Sequence, residues 1–191
     1  VTLSMTMIGH VAQGRMIRRN GAVPGDLIFV TGTIGDGALG LAVATGLLPP
    51  DPQGYLLERY LLPRPRIGLR LRGIVSAGMD VSDGLVQDLG HICRASRLSA
   101  TIEAGTVPLS AAAAAVGPAW REMILTGGDD YELLLAVPPD EVTALRRVAE
   151  AADVPVSCIG KFTAGPPIVT VRDETGQTLS FAKGGWSHLS G

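Results

Sequence analysis

Two carboxylates stand three positions apart in GMDVSDGL, residues 78–85, a stretch otherwise apolar and rich in glycine. Ser82 and Asp83 are both favoured N-cap residues, so either can close the start of a following helix. A cap leaves Asp80 unexplained. Alternation along an extended chain puts Asp80 and Ser82 on one face. Oxygen ligands gathered where a strand meets a helix suit Mg²⁺ bridging to phosphate oxygens, and a helix N-terminus favours an anion. Local spacing leaves both readings open, cap and metal site.

TGGDDYEL, residues 126–133, is the second acidic cluster. Two glycines before Asp129 and Asp130 read as a polar turn. Glu132 adds a third carboxylate within four residues. Like charges gathered this way repel unless a cation relieves them. Ligands bind at sheet edges where strands end, and here two acidic clusters each adjoin an apolar strand. TGTIGDGALG, residues 31–40, is a glycine-rich turn whose amides could cradle phosphate, or could simply allow tight packing. It is neither GxGxxG nor a Walker A loop. RMIRR offers Arg15, Arg18 and Arg19, as a solvated basic face or as phosphate contacts. Trp186, after two glycines in KGGWSHL, is either core or a cover for a flat ring. His10, His91 and His188 are scattered, with no Ser/His/Asp arrangement and no HExxH.

The elements that must position these residues follow from periodicity. Alternation in VTLSMTMIG predicts an opening strand within residues 1–11, and LIFVTG (27–32) a buried one. A helix is expected from the glycine-rich turn to about residue 47, stopped by Pro49, Pro50 and Pro52. YLLERYLL reads as a short amphipathic helix, and PRPR (63–66) as a rigid connector into a further apolar helix running to Ala77. GMDVS is a strand. The next helix starts near Gly84 with Leu85, Leu89 and Ile92 on one face. ATIEA is a strand, SAAAAAVG and PAWREMIL are helical, and YELLLAV is a strand. DEVTALRRVAEAA is a helix with an acidic start. VSCIGKF, PIVTVRD and QTLSFAK are strands, the last two joined by a hairpin turn at ETG. Strands and helices mixed without strict alternation define an α+β (mixed α/β) class: one mixed sheet with helices packed on it. Residues 1–11 are expected to be the last strand of a preceding domain, and residues 12–191 to form one domain.

The composition sets bounds. The 191 residues suffice for one sizeable core. With 46% hydrophobic and 18% charged residues, disorder is excluded. A net charge of −2 carries no signature of a nucleic-acid or membrane binder. No stretch reaches the roughly 18 apolar residues of a membrane span. Cys93 and Cys158 lie in no metal-type spacing, so reduced, buried thiols in a cytoplasmic protein are expected.

Together and in order, RRNGAVPGDLIFVTGTIGDGALG, LLPRPR, GMDVSDGLVQDLGHI, LTGGDDYEL, SCIGKF and GGWSHL resemble the thiamine-monophosphate kinases, of the aminoimidazole ribonucleotide synthetase-related superfamily. The resemblance runs along essentially the whole chain. It implies the fold of that superfamily's C-terminal domain. It also implies Mg²⁺-dependent transfer of the γ-phosphoryl group of ATP to thiamine monophosphate, giving thiamine diphosphate and ADP. Asp80 and Asp83 match Mg²⁺ ligands, Ser82 an ATP contact, and Arg19 an Arg on the ATP phosphates. In the second cluster Asp130 is the first choice of substrate contact, with Asp129 and Glu132 as alternatives. Trp186 stands where the family has an aromatic residue, usually Tyr or Phe, against the substrate. The family has an N-terminal domain bearing further acidic Mg²⁺ motifs and a GGD segment, and forming most of a homodimer. Those N-terminal segments are not among the present residues, so little kinase activity is expected of them alone. Two alternatives compete. One is another ATP-dependent superfamily enzyme, of cyclo-ligase or selenophosphate synthetase type. The other is a non-catalytic nucleotide-binding module.

Overall fold

A computed structural model describes residues 4–181. Seven strands form one sheet in the order β2-β4-β1-β5-β3-β6-β7. They are β1 (Leu27–Thr31), β2 (Ala77–Val81), β3 (Leu98–Glu103), β4 (Glu132–Val137), β5 (Val156–Ala164), β6 (Val169–Arg172) and β7 (Thr178–Leu179). All neighbours are antiparallel except β3 and β6, which run parallel. The helices are α1 (Asp36–Ala44), α2 (Tyr55–Leu61), α3 (Leu85–Ser96), α4 (Ala111–Ala115), α5 (Arg121–Thr126) and α6 (Val142–Ala151). The mixed sheet with packed helices is the expected class.

The central strands read as unbroken apolar runs because both faces of the sheet are covered. Ile28 and Val30 of β1 and Leu134 of β4 pack with Leu85, Leu89 and Ile92 of α3. Phe29, Leu135 and Val137 turn the other way, against Leu145 of α6. Each fully buried side chain of this size contributes ~1.5–3 kcal/mol, so the three apolar residues of α3 fix it on the sheet. A third cluster joins Leu39 and Ala42 of α1, Leu56 of α2, Ala113 of α4 and Ile124 of α5. That layer stands beside β4 and becomes the wall of a cavity.

Residues 4–11 join no strand of this sheet and are exposed, and a strand needs a neighbour for its amides and carbonyls. Two expectations are corrected. Residues 67–76 are turns rather than a helix. Gly68 and Gly73 adopt left-handed φ values of 92° and 79° there, which no right-handed helix accommodates. Cys93 is buried as expected, and burial pushes its thiol up to about 11, but Cys158 is exposed on β5. Among the described residues no helix is long and apolar enough to cross a membrane.

Candidate functional site

β2 is the edge strand that carries Asp80. Its outer side meets the basic segment, where the Gly78 amide donates to the Arg18 carbonyl at 3.1 Å. Ser96 Oγ donates to the Arg19 carbonyl at 3.1 Å. These two bonds hold Arg19 beside β2 and the end of α3 while its side chain stays exposed.

Whether Asp83 caps α3 is answered by a residue further along the helix. The N-cap is Gly84, and no side chain caps it in the usual way. Instead Asp88 turns back, and its Oδ2 accepts from the amides of Ser82, Asp83 and Gly84 at 2.9, 3.0 and 3.2 Å. The N-cap position itself is held by neither Ser82 nor Asp83. Asp88 is 1% exposed. Burial raises its carboxyl above the ordinary range, against the lowering pull of the Asp83 and Ser82 amides.

The second cluster packs straight onto this junction. The Asp129 amide donates to the Ser82 carbonyl at 3.0 Å, and the Tyr131 amide to the Val81 carbonyl at 2.8 Å. Gly128 permits the approach, since a Cβ there would overlap the Ser82 carbonyl oxygen. Asp129 and Tyr131 both hold left-handed φ values, 69° and 52°, which cost energy in non-glycine residues. The strain is held by what lies between and beyond them.

Asp130 is 1% exposed and accepts from the Gly35 and Gly37 amides at 2.8 and 3.0 Å. It therefore caps α1 from the distant turn that precedes β4. Burial pushes its carboxyl up to about 7, opposed by those two amides and by Arg59. Glu132 is fully buried and accepts from Thr31 Oγ1 at 2.6 Å, Arg59 Nη2 at 3.2 Å and Arg66 Nε at 2.6 Å, with Arg66 Nη2 as a further donor. Arg59 Nη2 also donates to the Asp130 carbonyl at 3.2 Å. Asp36 completes the network with Thr33 Oγ1 and Ser110 Oγ, each at 2.5 Å, and with Tyr55 Oη at 3.2 Å.

Glu132, the first residue of β4, shares the inward face of Leu134 and Ala136, and Asp130 turns inward just ahead of the strand, toward the start of α1. In this structure their oxygens accept from amides, a threonine hydroxyl and arginines. The glycine-rich turn offers no phosphate cradle at Gly35 and Gly37, whose amides Asp130 already fills, and Asp88 fills those at the start of α3. Trp186 lies outside the described residues.

What the structure brings together is Asp80, Ser82, Asp83, Asp129 and Tyr131. Tyr131 Oη donates to Asp129 Oδ1 at 3.1 Å. Partial burial, then Asp129, Asp80 and Asp83, raise the Tyr131 phenol above its ordinary value. Three carboxylates thus act on one hydroxyl. Ser82, Asp83, Asp129 and Tyr131 line a cavity of about 1270 Å³. Its remaining wall includes Leu41, Leu47, Tyr60, Trp120, Glu122 and Met123. Asp83, Asp88 and His91 also have donor atoms within 4.8 Å of one another. Arg94 Nη2 stands 3.1 Å from His91 Nδ1, and an imidazole beside a guanidinium ill suits a hard cation that prefers oxygen.

Sequence reasoning passed over Asp88, Asp36, Arg59 and Arg66. Parity along β4 marks Glu132 as inward, and an inward carboxylate demands buried partners. Arg59 and Arg66, in the predicted α2 and its PRPR extension, were the available cations.

A mixed sheet with a carboxylate-bearing edge strand and an amide-filled α1 start is the architecture of one domain class. Residues 23–172 match the AIR synthase related protein, C-terminal domain, and the chain belongs to that family. Within it the similarity runs to the thiamine-monophosphate kinases. The chain is 42% identical over 199 residues to the thiamine-monophosphate kinase of Salmonella typhimurium, covering 98% of this chain and 60% of that protein. The crystal structure of thiamine-monophosphate kinase from Stenotrophomonas maltophilia superposes with a TM-score of 0.78 at 38% identity, over 88% of this chain and 56% of that one. AaThiL complexed with AMPPCP and TMP superposes with a TM-score of 0.74 at 30% identity, over 91% and 54%. The chain thus spans between half and two-thirds of the length of the relatives it matches.

Proposed function

We propose that this chain forms part of a kinase that transfers the γ-phosphoryl group of ATP to thiamine monophosphate, giving thiamine diphosphate and ADP. The carrying observation is the single cavity wall that Ser82, Asp83, Asp129 and Tyr131 form together, with the 129–131 turn bonded to the end of β2 through the Asp129 and Tyr131 amides. The thiamine-monophosphate kinase relatives, one of them complexed with AMPPCP and TMP, support the same reading. Asp80 and Asp83 are proposed to hold Mg²⁺. The donor set fits a hard cation, since it is all oxygen and the helix starts nearby are capped by other carboxylates. Bound there, Mg²⁺ supplies charge neutralisation for phosphate oxygens.

The chain's own residues account for the rest. Arg19, held by its backbone beside β2, meets the nucleotide phosphates. Ser82 donates a hydroxyl hydrogen bond to them. Asp129 faces the substrate, a role reassigned from Asp130. Phosphoryl transfer between two anions needs alignment and charge compensation more than a strong base. The acceptor is an ionised phosphate, so no general base is needed, and among the described residues no His lines the cavity. Residues 1–11 are read as pairing outside residues 12–191, in a cytoplasmic homodimer.

The test is calorimetric titration with thiamine monophosphate, and separately with a formylglycinamidine and with selenide, in the presence of Mg²⁺ and a non-hydrolysable ATP analogue. The reading requires saturable binding of thiamine monophosphate alone among the three. Binding of either of the others in its place refutes it.

A further inference from the structure

The turn between α5 and β4 has an unusual backbone. Asp129 and Tyr131 hold left-handed φ values of 69° and 52°, with Asp130 between them. For a side chain as bulky as tyrosine that conformation is an outlier. Glycine adopts it freely, so a residue selected only for the turn would be glycine. Tyr131 is also 40% exposed, so burial does not account for the side chain either. Strain of this kind concentrates at functional sites.

The backbone itself needs no help from the ring. The Asp129 amide donates to the Ser82 carbonyl and the Tyr131 amide to the Val81 carbonyl, while the Asp130 carbonyl accepts from Arg59 Nη2. The Asp130 carboxylate is bonded to the start of α1. Gly127 permits the close fit on the other side, since a Cβ there would overlap the Ala38 side chain. Between two left-handed residues Asp130 turns into the fold, and Asp129 and Tyr131 come out on the same cavity wall. What these bonds leave loose is rotation of the Asp129 side chain. Tyr131 Oη removes that freedom by donating to Oδ1 at 3.1 Å.

We propose that Tyr131 is a positioning residue, whose hydroxyl holds Asp129 Oδ1 so that Oδ2 is presented to the substrate in one orientation. The inference rests on the kinase reading, in which Asp129 faces the substrate. Tyr131 acts through Asp129 and not on the reacting atoms. The two left-handed residues then share a purpose. Glycine at either position would relieve the backbone, but would delete the carboxylate or the hydroxyl that orients it. An aspartate free to rotate has to be ordered by the ligand, and that ordering weakens binding.

The experiment is a double-mutant cycle on this chain. It is read by calorimetric titration with thiamine monophosphate in the presence of Mg²⁺ and a non-hydrolysable ATP analogue. Tyr131→Phe keeps the ring and removes only the hydroxyl. It is expected to weaken binding about fivefold, the worth of one hydrogen bond, with the urea unfolding midpoint unchanged. Asp129→Ala is expected to weaken binding more, and Tyr131→Phe added to it to cost nothing further. A tyrosine that touched the substrate itself, or one that served only the fold, gives losses that add. Should Asp129→Ala bind too weakly to measure, the carbon-13 resonance of the Asp129 carboxylate decides. It must differ between the unaltered chain and Tyr131→Phe, both without ligand. Unchanged binding in Tyr131→Phe, additive losses or an unchanged Asp129 resonance overturns the inference. Failure of the kinase reading is a separate result. A chain that binds no thiamine monophosphate refutes that reading and this inference with it, whereas binding that Tyr131→Phe leaves intact refutes this inference alone.

Discussion

Removing Glu132 should unfold this domain far more readily than any exposed charge would. Its carboxylate is fully buried and joins two arginines and a threonine. Arg59 is almost fully buried as well, and beyond Glu132 its nearest carboxylate is Asp36, 3.9 Å from Nε. Glu132→Ala therefore leaves a buried guanidinium with little countercharge, and Arg66 loses both of its bonds to the same carboxylate. Breaking a buried pair in this way costs ~3–5 kcal/mol. For a chain of this size each kcal/mol lowers the melting midpoint by about 2–4 °C, so a fall of roughly 6–20 °C follows. Arg66→Ala should cost less, because its side chain is 19% exposed and water can replace it. Replacing both buried partners, Arg59→Met with Glu132→Leu, removes the stranded charge. The double variant should then be more stable than the sum of the singles by at least about 1 kcal/mol. Urea unfolding followed by circular dichroism reads all six chains: the unaltered one, Glu132→Ala, Arg66→Ala, Arg59→Met, Glu132→Leu and the double variant. A loss below about 1 kcal/mol for Glu132→Ala, or strict additivity, would refute the idea that this network holds the 129–131 segment in place.

Asp130 makes stability depend on pH. Its folded value of about 7 lies above the unfolded carboxylate's, so the native state keeps a proton that the unfolded chain releases. Its contribution is complete below about pH 4 and is lost as pH rises through 7. Denaturant midpoints measured at pH 5 and pH 8 should show that fall, and Asp130→Asn should flatten it. Asp88→Ala frees three amides at the start of α3. It should cost at least ~2 kcal/mol in urea unfolding, a larger loss than Ser82→Ala or Asp83→Ala, which would rank first if either were the cap. The Tyr131 phenol, raised by Asp129, Asp80 and Asp83, should titrate at lower pH once Mg²⁺ offsets those charges. Ultraviolet phenolate titration reads the shift, with Tyr131→Phe identifying the band among the three tyrosines.

Much of the sheet was legible because burial on both faces leaves unmistakable apolar runs, as in LIFVT and ELLLAV. α3 was legible from the spacing of Leu85, Leu89 and Ile92. The opening alternation reports a side-chain pattern and not the presence of a pairing partner, and residues 4–11 stand outside this sheet. RIGLRLRGIV misled, because its leucines suggested a helix that two left-handed glycines forbid. At the site, the DVSDGL and GGDDYEL motifs marked two loops that the structure brings together, but not which of the nearby oxygens bond within the fold. Asp88, Asp130 and Glu132 are carboxylates employed inside it. Which acid faces out depends on long-range partners, the Gly35 and Gly37 amides and the arginines of α2 and its extension. No local spacing encodes those partners.

The central claim is that Asp80 and Asp83 hold a cation. Calorimetric titration of a non-hydrolysable ATP analogue into this chain, with and without Mg²⁺, tests it most directly when repeated on Asp80→Ala. The account predicts Mg²⁺-dependent binding that Asp80→Ala reduces at least tenfold while the unfolding midpoint stays unchanged. Nucleotide binding that needs no Mg²⁺, or that Asp80→Ala leaves intact, would contradict it.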